Sequence, residues 1–419
     1  MIEQFITVAI FILTLILIIT EKIHRSIVII AAVTALIAVG VLNIEEAVHY
    51  IDFETLLLLG GMMIIVEILR ELGFFHYAAI KIAKKARNYK TFFILMCLAT
   101  GFLSSLLNSV TVVLIFSSIT VAVLKIIKKD PKPLLLSQVF CSNIGGNATL
   151  IGEPTNIMVA THKGFTFLDF IYALTPITII GLVLCIYLLS MNLEEEKEDI
   201  LSLVMELDEY SFIRDKTQLN KGIAIFIFTI FLFFIQDILS ISPATVALIG
   251  ASLMLIIIKP DIGELLSRLE WSTLIFIGGF FVVVGGLIKV GIIDLIVSRI
   301  AGLELGNILL ILFIGVLMAF GSAVIDNVPF VALMIPVVDK LSLGLNSNIL
   351  WWVMLAGANL GGNLTPIASS PNIVVIAISE REGNPISFKE FIKVGVPISL
   401  ITLVISILVL IGYYVLNLI

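Results

Sequence analysis

Twelve apolar runs punctuate the chain, at 5–20, 26–43, 55–69, 91–124, 133–160, 167–190, 221–238, 243–258, 272–288, 307–344, 349–378 and 394–418. The hydrocarbon core of a bilayer takes about 20 helical residues, so most runs are one span long. Two of them, 91–124 and 307–344, are too long for one helix and short for two. Each predicts a helical hairpin that enters the membrane and returns to the side it came from.

The basic residues orient this pattern, because short cytoplasmic loops retain Lys and Arg. Lys81, Lys84, Lys85, Arg87 and Lys90 precede the first hairpin, and Lys125, Lys128, Lys129 and Lys132 follow it. Both its ends are therefore expected in the cytoplasm, with the turn near Asn108. The remaining runs then alternate with both termini outside, and 307–344 becomes a second hairpin entering from outside. This arrangement puts 21 of the 25 Lys and Arg inside and leaves Lys163, Lys289, Arg299 and Lys340 outside. Residues 1–20 have neither a basic leading region nor a small-residue cleavage pattern, so they read as a span rather than a signal peptide.

Composition agrees with the pattern. The 419 residues are 60% hydrophobic and 13% charged, against roughly half and a quarter in a soluble domain. The chain is an all-α polytopic membrane protein in a cell membrane, in contact with lipid. A formal charge of -6 gives no basic footprint for nucleic acid. The one long polar stretch, 191–220, holds nine acids against three bases and so carries a charge equal to that of the whole chain. It reads as a solvated cytoplasmic linker. Cys97, Cys141 and Cys185 lie apart in apolar stretches, with no paired spacing for a metal cage or redox couple, and read as buried small residues.

The linker divides a repeat. Shifted by about 217 positions, Phe53-Glu54-Thr55-Leu56 with Gly60-Gly61 falls on Trp271-Ser272-Thr273-Leu274 with Gly278-Gly279. Likewise, Leu107-Asn108-Ser109-Val110 falls on Ile325-Asp326-Asn327-Val328, and Ser142 to Thr149 on Ala358 to Thr365. The expected organisation is a first repeat at 1–190, the linker at 191–220 and a second repeat at 221–419. Each repeat has five spans plus one hairpin, and an odd number of crossings inverts the second copy relative to the first. Inverted repeats are a signature of secondary transporters, with cargo near the midplane where the copies meet.

Four polar clusters fall inside the apolar runs. The hairpin tips hold Asn108, Ser109 and Thr111, and Asp326, Asn327 and Pro329. The first interrupted span holds Asn143, Gly145, Gly146, Asn147 and Thr149, then Gly152, Glu153, Pro154, Thr155 and Asn156. The second holds Asn359, Gly361, Gly362, Asn363 and Thr365, then Ser369, Ser370 and Asn372. Glycine and proline interrupt helical hydrogen bonding, and unwound backbone survives at this depth only when buried in protein or lining a wet cavity. Half-helix amino termini offer N–H groups to an anion, and carboxyl ends offer carbonyls to a cation. All of these residues are candidate substrate or ion ligands. A coupling sodium ion is expected near Asn108, Asn143, Asp326 and Asn359.

Asp326 and Glu153 are the two intramembrane acids most suited to binding a cation or cycling a proton, because a charge at this depth costs at least about 2.5 kcal/mol. Glu67 reads as a boundary residue, and His24, His49, His76 and His162 all fall at span ends. Without a mid-span histidine or a second acid at catalytic spacing, an intramembrane enzyme is not expected.

At these motifs the sequence resembles the ion transporter superfamily, above all its arsenite permease and pink-eyed dilution branch, related to divalent anion/sodium symporters and D-type sodium/proton antiporters. The resemblance implies a homodimeric scaffold, a mobile transport domain with an elevator-type movement, and a binding site built from the two tips and the two breaks. It implies secondary active transport of a small anion or oxyanion, arsenite-permease-like or carboxylate, coupled to a proton or sodium gradient. A carboxylate at Asp326 repels a dianion unless it is protonated or cation-bound, which favours such a linked cycle. Sodium/proton antiport through Asp326 and Glu153 is the alternative within transport, and a passive channel the alternative outside it.

Overall fold

The computed structural model describes residues 1–20, 22–191, 193, 208–213, 215–345 and 347–418. These form helices joined by turns, with no strand among the described residues. The middle of the expected linker, 194–207, lies outside them.

Both long runs fold as helical hairpins. Tyr89–Ser104 turns at 105–108 into Ser109–Ile126, and Asn307–Val324 turns at 325–326 into Asn327–Ser342. Both interrupted spans break where glycine and proline cluster. Lys132–Gly146 stops and Pro154–Lys163 begins seven residues later, as Ile349–Gly361 gives way to Ser370–Arg381. Pro154 and Pro371 occupy the first turns of the second pieces, where a missing N–H costs nothing.

Two features depart from the expected spans. The run 167–190 is two helices, Phe167–Ala173 and Thr175–Ser190, bent by 50°, since Pro176 cannot donate back to the preceding turn. Short helices also cap the bundle at Ile44–His49, Phe74–Ala83, Ile262–Arg268 and Ile292–Ala301, too short to register as apolar runs.

The repeat is visible in the element order. Phe53–Glu71, Phe74–Ala83, Tyr89–Ser104, Ser109–Ile126, Lys132–Gly146 and Pro154–Lys163 recur in series as Trp271–Lys289, Ile292–Ala301, Asn307–Val324, Asn327–Ser342, Ile349–Gly361 and Ser370–Arg381. Packing between the halves is reciprocal. Phe53–Glu71 packs on Pro243–Ile258 while Trp271–Lys289 packs on Arg25–Ala38, and Gly60 faces Leu274 where Gly278 faces Leu56. In these contacts each residue meets the counterpart of its own partner, the reciprocity that a two-fold relation produces.

Ion pairs gather the loops at two ends of the bundle. Lys84–Glu209, Lys125–Glu382 and Lys132–Glu390 lie at one; Lys289–Glu46, Lys340–Asp294 and Lys163–Asp339 lie at the other. The first hairpin opens at the lysine-rich end and the second at the opposite end, so their tips point at each other from opposite directions.

The cysteines are buried, as the sequence led one to expect, and they also meet one another. Cys97, Cys141 and Cys185 come from three different helices, yet the Cys141 thiol meets both Cys185 and Cys97. All three are fully buried. No group of three His, Cys, Asp or Glu among the described residues is placed to hold a metal ion.

Candidate transport site

Between the hairpin tips and the helix breaks lies a cavity of 310 Å³. Four helices begin at its wall: Ser109–Ile126, Pro154–Lys163, Asn327–Ser342 and Ser370–Arg381. Local chemistry places each start. Asn108 Oδ1 accepts from the backbone N–H groups of Val110 at 2.9 Å and Thr111 at 3.2 Å, and Asp326 Oδ1 accepts from Val328 N–H at 3.1 Å. These are N-caps, satisfying donors that a helix start leaves unpaired. Glu153 and Ser369 occupy the matching positions at the breaks in extended backbone, and neither side chain caps its helix. Both are left to bond elsewhere. Ser109 Oγ donates to Glu153 Oε1 at 2.7 Å, tying the first tip to the first break, and Ser369 Oγ donates to Asn143 Oδ1 at 3.2 Å.

The sequence candidates separate into a lining and a support. Asn108, Ser109, Thr111, Gly152, Glu153, Pro154, Asp326, Asn327, Ser369 and Ser370 face the cavity. Asn143, Asn147, Thr149, Thr155, Asn156, Asn359, Asn363 and Asn372 are buried behind it, with Gly145, Gly146, Gly361, Gly362, Thr365 and Pro329 also off the lining. Of the four positions around which sodium was expected, Asn108 and Asp326 reach the cavity and Asn143 and Asn359 do not.

The support is an asparagine lattice obeying the same two-fold relation. Asn143 Nδ2 donates to Asn363 Oδ1 at 2.8 Å and Asn372 Oδ1 at 2.9 Å. Its counterpart Asn359 Nδ2 donates to Asn147 Oδ1 at 3.0 Å and Asn156 Oδ1 at 2.9 Å. Asn156 Nδ2 in turn reaches the carbonyls of Gly146 and Thr149 at 3.0 and 2.7 Å, and Asn372 Nδ2 those of Gly362 and Thr365 at 2.7 and 2.9 Å. Carbonyls freed by the breaks are thus satisfied without water, as buried polar groups must be. Thr149 Oγ1 donates to the Ser105 carbonyl, and Thr365 Oγ1 to the Ala323 carbonyl at 2.6 Å. Each break is thereby fastened to a hairpin tip.

Sequence reasoning missed the charged groups at the rim. Arg25, Glu67, Arg70, Arg268 and Glu270, with Ser272 and Thr273, also line the cavity. Arg25 lies 3.6 Å from Asp326. Glu67, read as a boundary residue, is buried between Arg70 at 2.6 Å and Arg268 at 3.9 Å. The three arginines had been counted only as topology signals; their closeness in sequence to Glu67, Glu270 and the start of a span was the available clue. Each helix start carries roughly half a positive charge, so the four together set about two positive charges against the acids on the wall.

The fold and this site define a polytopic membrane transporter. The citrate transporter family profile matches residues 15–357, and the chain belongs to that family. It is 36% identical to an uncharacterized transporter of Mycobacterium tuberculosis over 417 residues, 96% of each chain. It is also 30% identical to the human P protein over 477 aligned positions, which cover 92% of this chain and 57% of that one. Among solved structures, the YdaH transporter of Alcanivorax borkumensis shares the fold with a TM-score of 0.62 over 93% of this chain and 88% of that one, at 13% identity.

Proposed function

We propose that the protein is a secondary active transporter for a small anion, a carboxylate or an oxyanion, driven by a proton or sodium gradient. The observation that carries this reading is the convergence of four helix amino termini, with Arg25, on one cavity. Oriented N–H groups and dipoles at helix starts are ready-made anion ligands. Asp326 and Glu153, on the same wall, are the groups that carry the coupling cation. The family name and the relatives described as transporters support the class of activity.

The cycle follows from the reciprocal halves. With the lysine-rich end in the cytoplasm, the second repeat is inverted in the membrane and the cavity, bounded at that end by Arg70 and Arg268, opens inward. Alternating access moves the tips and breaks as one body in an elevator-type step, against a scaffold through which two copies dimerise.

Proteoliposomes test the reading. Citrate, succinate, inorganic phosphate and arsenite are offered under inward proton or sodium gradients. Accumulation of at least one above its outside concentration, abolished by collapsing the gradient, is the expected result. Only downhill flux would make the protein a channel. The two acids on the wall favour one second reading, sodium/proton antiport, which sodium-driven proton movement without any anion would establish.

A further inference from the structure

Arg25 stands at the first position of helix Arg25–Ala38 and is aimed at the second hairpin tip. Its guanidinium donates to Thr273 Oγ1 at 3.1 Å, lies 5.3 Å from the centre of the Phe276 ring, and approaches Asp326 Oδ2 at 3.6 Å. A hydrogen bond and a ring face fix the guanidinium from helix Trp271–Lys289, so its position does not depend on Asp326. The contact with Asp326 is longer than the about 2.7–2.9 Å of a charge-assisted hydrogen bond. Arg25 and Asp326 both line the cavity, with side-chain exposures of 31% and 19%, so an anion entering it meets a guanidinium held loosely by one carboxylate.

The pair also departs from the reciprocity of the asparagine lattice, as Glu153 opposite Ser369 does. The counterpart of Asp326 is Asn108, and the position matching Arg25 at the start of the corresponding helix, Pro243–Ile258, is Pro243. A charge pair on one side and neutral residues on the other is not required by the scaffold, which both halves share. It assigns the charge chemistry to one tip.

Resting on the anion-transport reading above, we infer that Arg25 is the anion-recognising residue of the cavity and that coupling arises from competition for it. A carboxylate or oxyanion takes the guanidinium from Asp326; Asp326, left without its cation, then takes up the proton or sodium ion that travels with the anion. In the empty site Arg25 neutralises Asp326, which keeps the cation from crossing alone. The ionisable groups that share the cavity with Asp326 are Arg25, Glu153 and Glu270, while at the rim Glu67 pairs with Arg70 and Arg268, and Arg268 also with Glu264. Arg25 is the one cation in this set within ion-pair distance of a hairpin tip.

The test uses the full chain in proteoliposomes, with citrate, succinate and inorganic phosphate as probes, and Arg25→Met, Arg25→Lys and Asp326→Asn as variants. Arg25→Met is expected to weaken anion binding by about 30-fold or more, the scale of losing a partly buried charge partner, and to admit proton or sodium leak in the absence of anion. Arg25→Lys restores part of the binding. Asp326→Asn, which keeps the shape of the tip, is expected to bind anion more tightly while no longer accumulating it against a gradient. The inference is overturned if Arg25→Met still accumulates anion at the wild-type level, or if Asp326→Asn leaves affinity and coupling unchanged in a wild type that transports. If the wild type moves none of the three, nor arsenite, under either gradient, the functional reading fails and this inference fails with it.

Discussion

Asn143 and Asn359 each hold two other asparagines, and their amide nitrogens donate in the same pattern in both halves. Removing either amide leaves two buried acceptors without donors. Each such loss costs about 1–3 kcal/mol, so Asn143→Ala and Asn359→Ala should destabilise by about 2–6 kcal/mol each and by similar amounts. Thermal melting in detergent followed by size exclusion reads both. Unequal losses would mean that the two-fold relation does not extend to the lattice. The residue scale is also where the sequence was hardest to read. Inside a broken span or at a hairpin tip neither helical nor strand periodicity says which way a side chain faces, so the sequence does not separate Asn143 behind the cavity from Ser109 on its wall. Arg25, Arg70 and Arg268 were hidden for another reason: a basic residue at a span end serves topology in almost every membrane protein, and nothing local marks one that also turns inward.

Helix packing explains the first glycine of each pair at the breaks. A Cβ at Gly145 would lie 2.0 Å from the Gly101 carbonyl oxygen, and one at its counterpart Gly361 would lie 2.5 Å from that of Ala319. Close approach of each interrupted helix to the first arm of its hairpin is what seats the break beside the tip. Gly145→Ala and Gly361→Ala should therefore lower stability by about 1–3 kcal/mol or more. Gly412→Ala, whose Cβ would meet nothing within 4 Å, is the control that should melt no lower than wild type. The hairpins themselves were legible, since run length and flanking lysines decide them. The bend before Pro176 and the short capping helices were not, because apolar content stays high through the former and never becomes long in the latter. At the start of helix Phe388–Val415, outside the apolar core, the Ser387 hydroxyl and N–H hold Glu390 down to about 2. Stability from that cap is present above the ordinary carboxylate range and fades only as pH falls toward that value. It therefore survives the mildly acidic side of a proton-gradient assay.

At the scale of the molecule, the two hairpins enter from opposite ends and meet at one cavity, which is bounded toward the lysine-rich end by arginines. Toward the other end the elements are joined by side chains: Thr161 Oγ1 donates to Asp52 Oδ2 at 2.8 Å, and Lys163 pairs with Asp339 at 3.7 Å. The repeat spacing and the four polar clusters made this arrangement readable from the chain. The meeting of three cysteines from separate helices was not, because no spacing rule links them. Ser109 and Asn327 both line the cavity and are only 4% and 7% exposed, whereas the native cysteines are fully buried and silent to a polar thiol reagent. The most direct test of a single shared cavity is therefore to label Ser109→Cys and Asn327→Cys with a membrane-impermeant reagent, applied to each face of the membrane in turn. Lys389→Cys, exposed at the start of helix Phe388–Val415, serves as the freely reacting control. Both cavity positions should react from the same face, and more slowly than the control. Reaction of the two from opposite faces, each as fast as the control, would contradict the account.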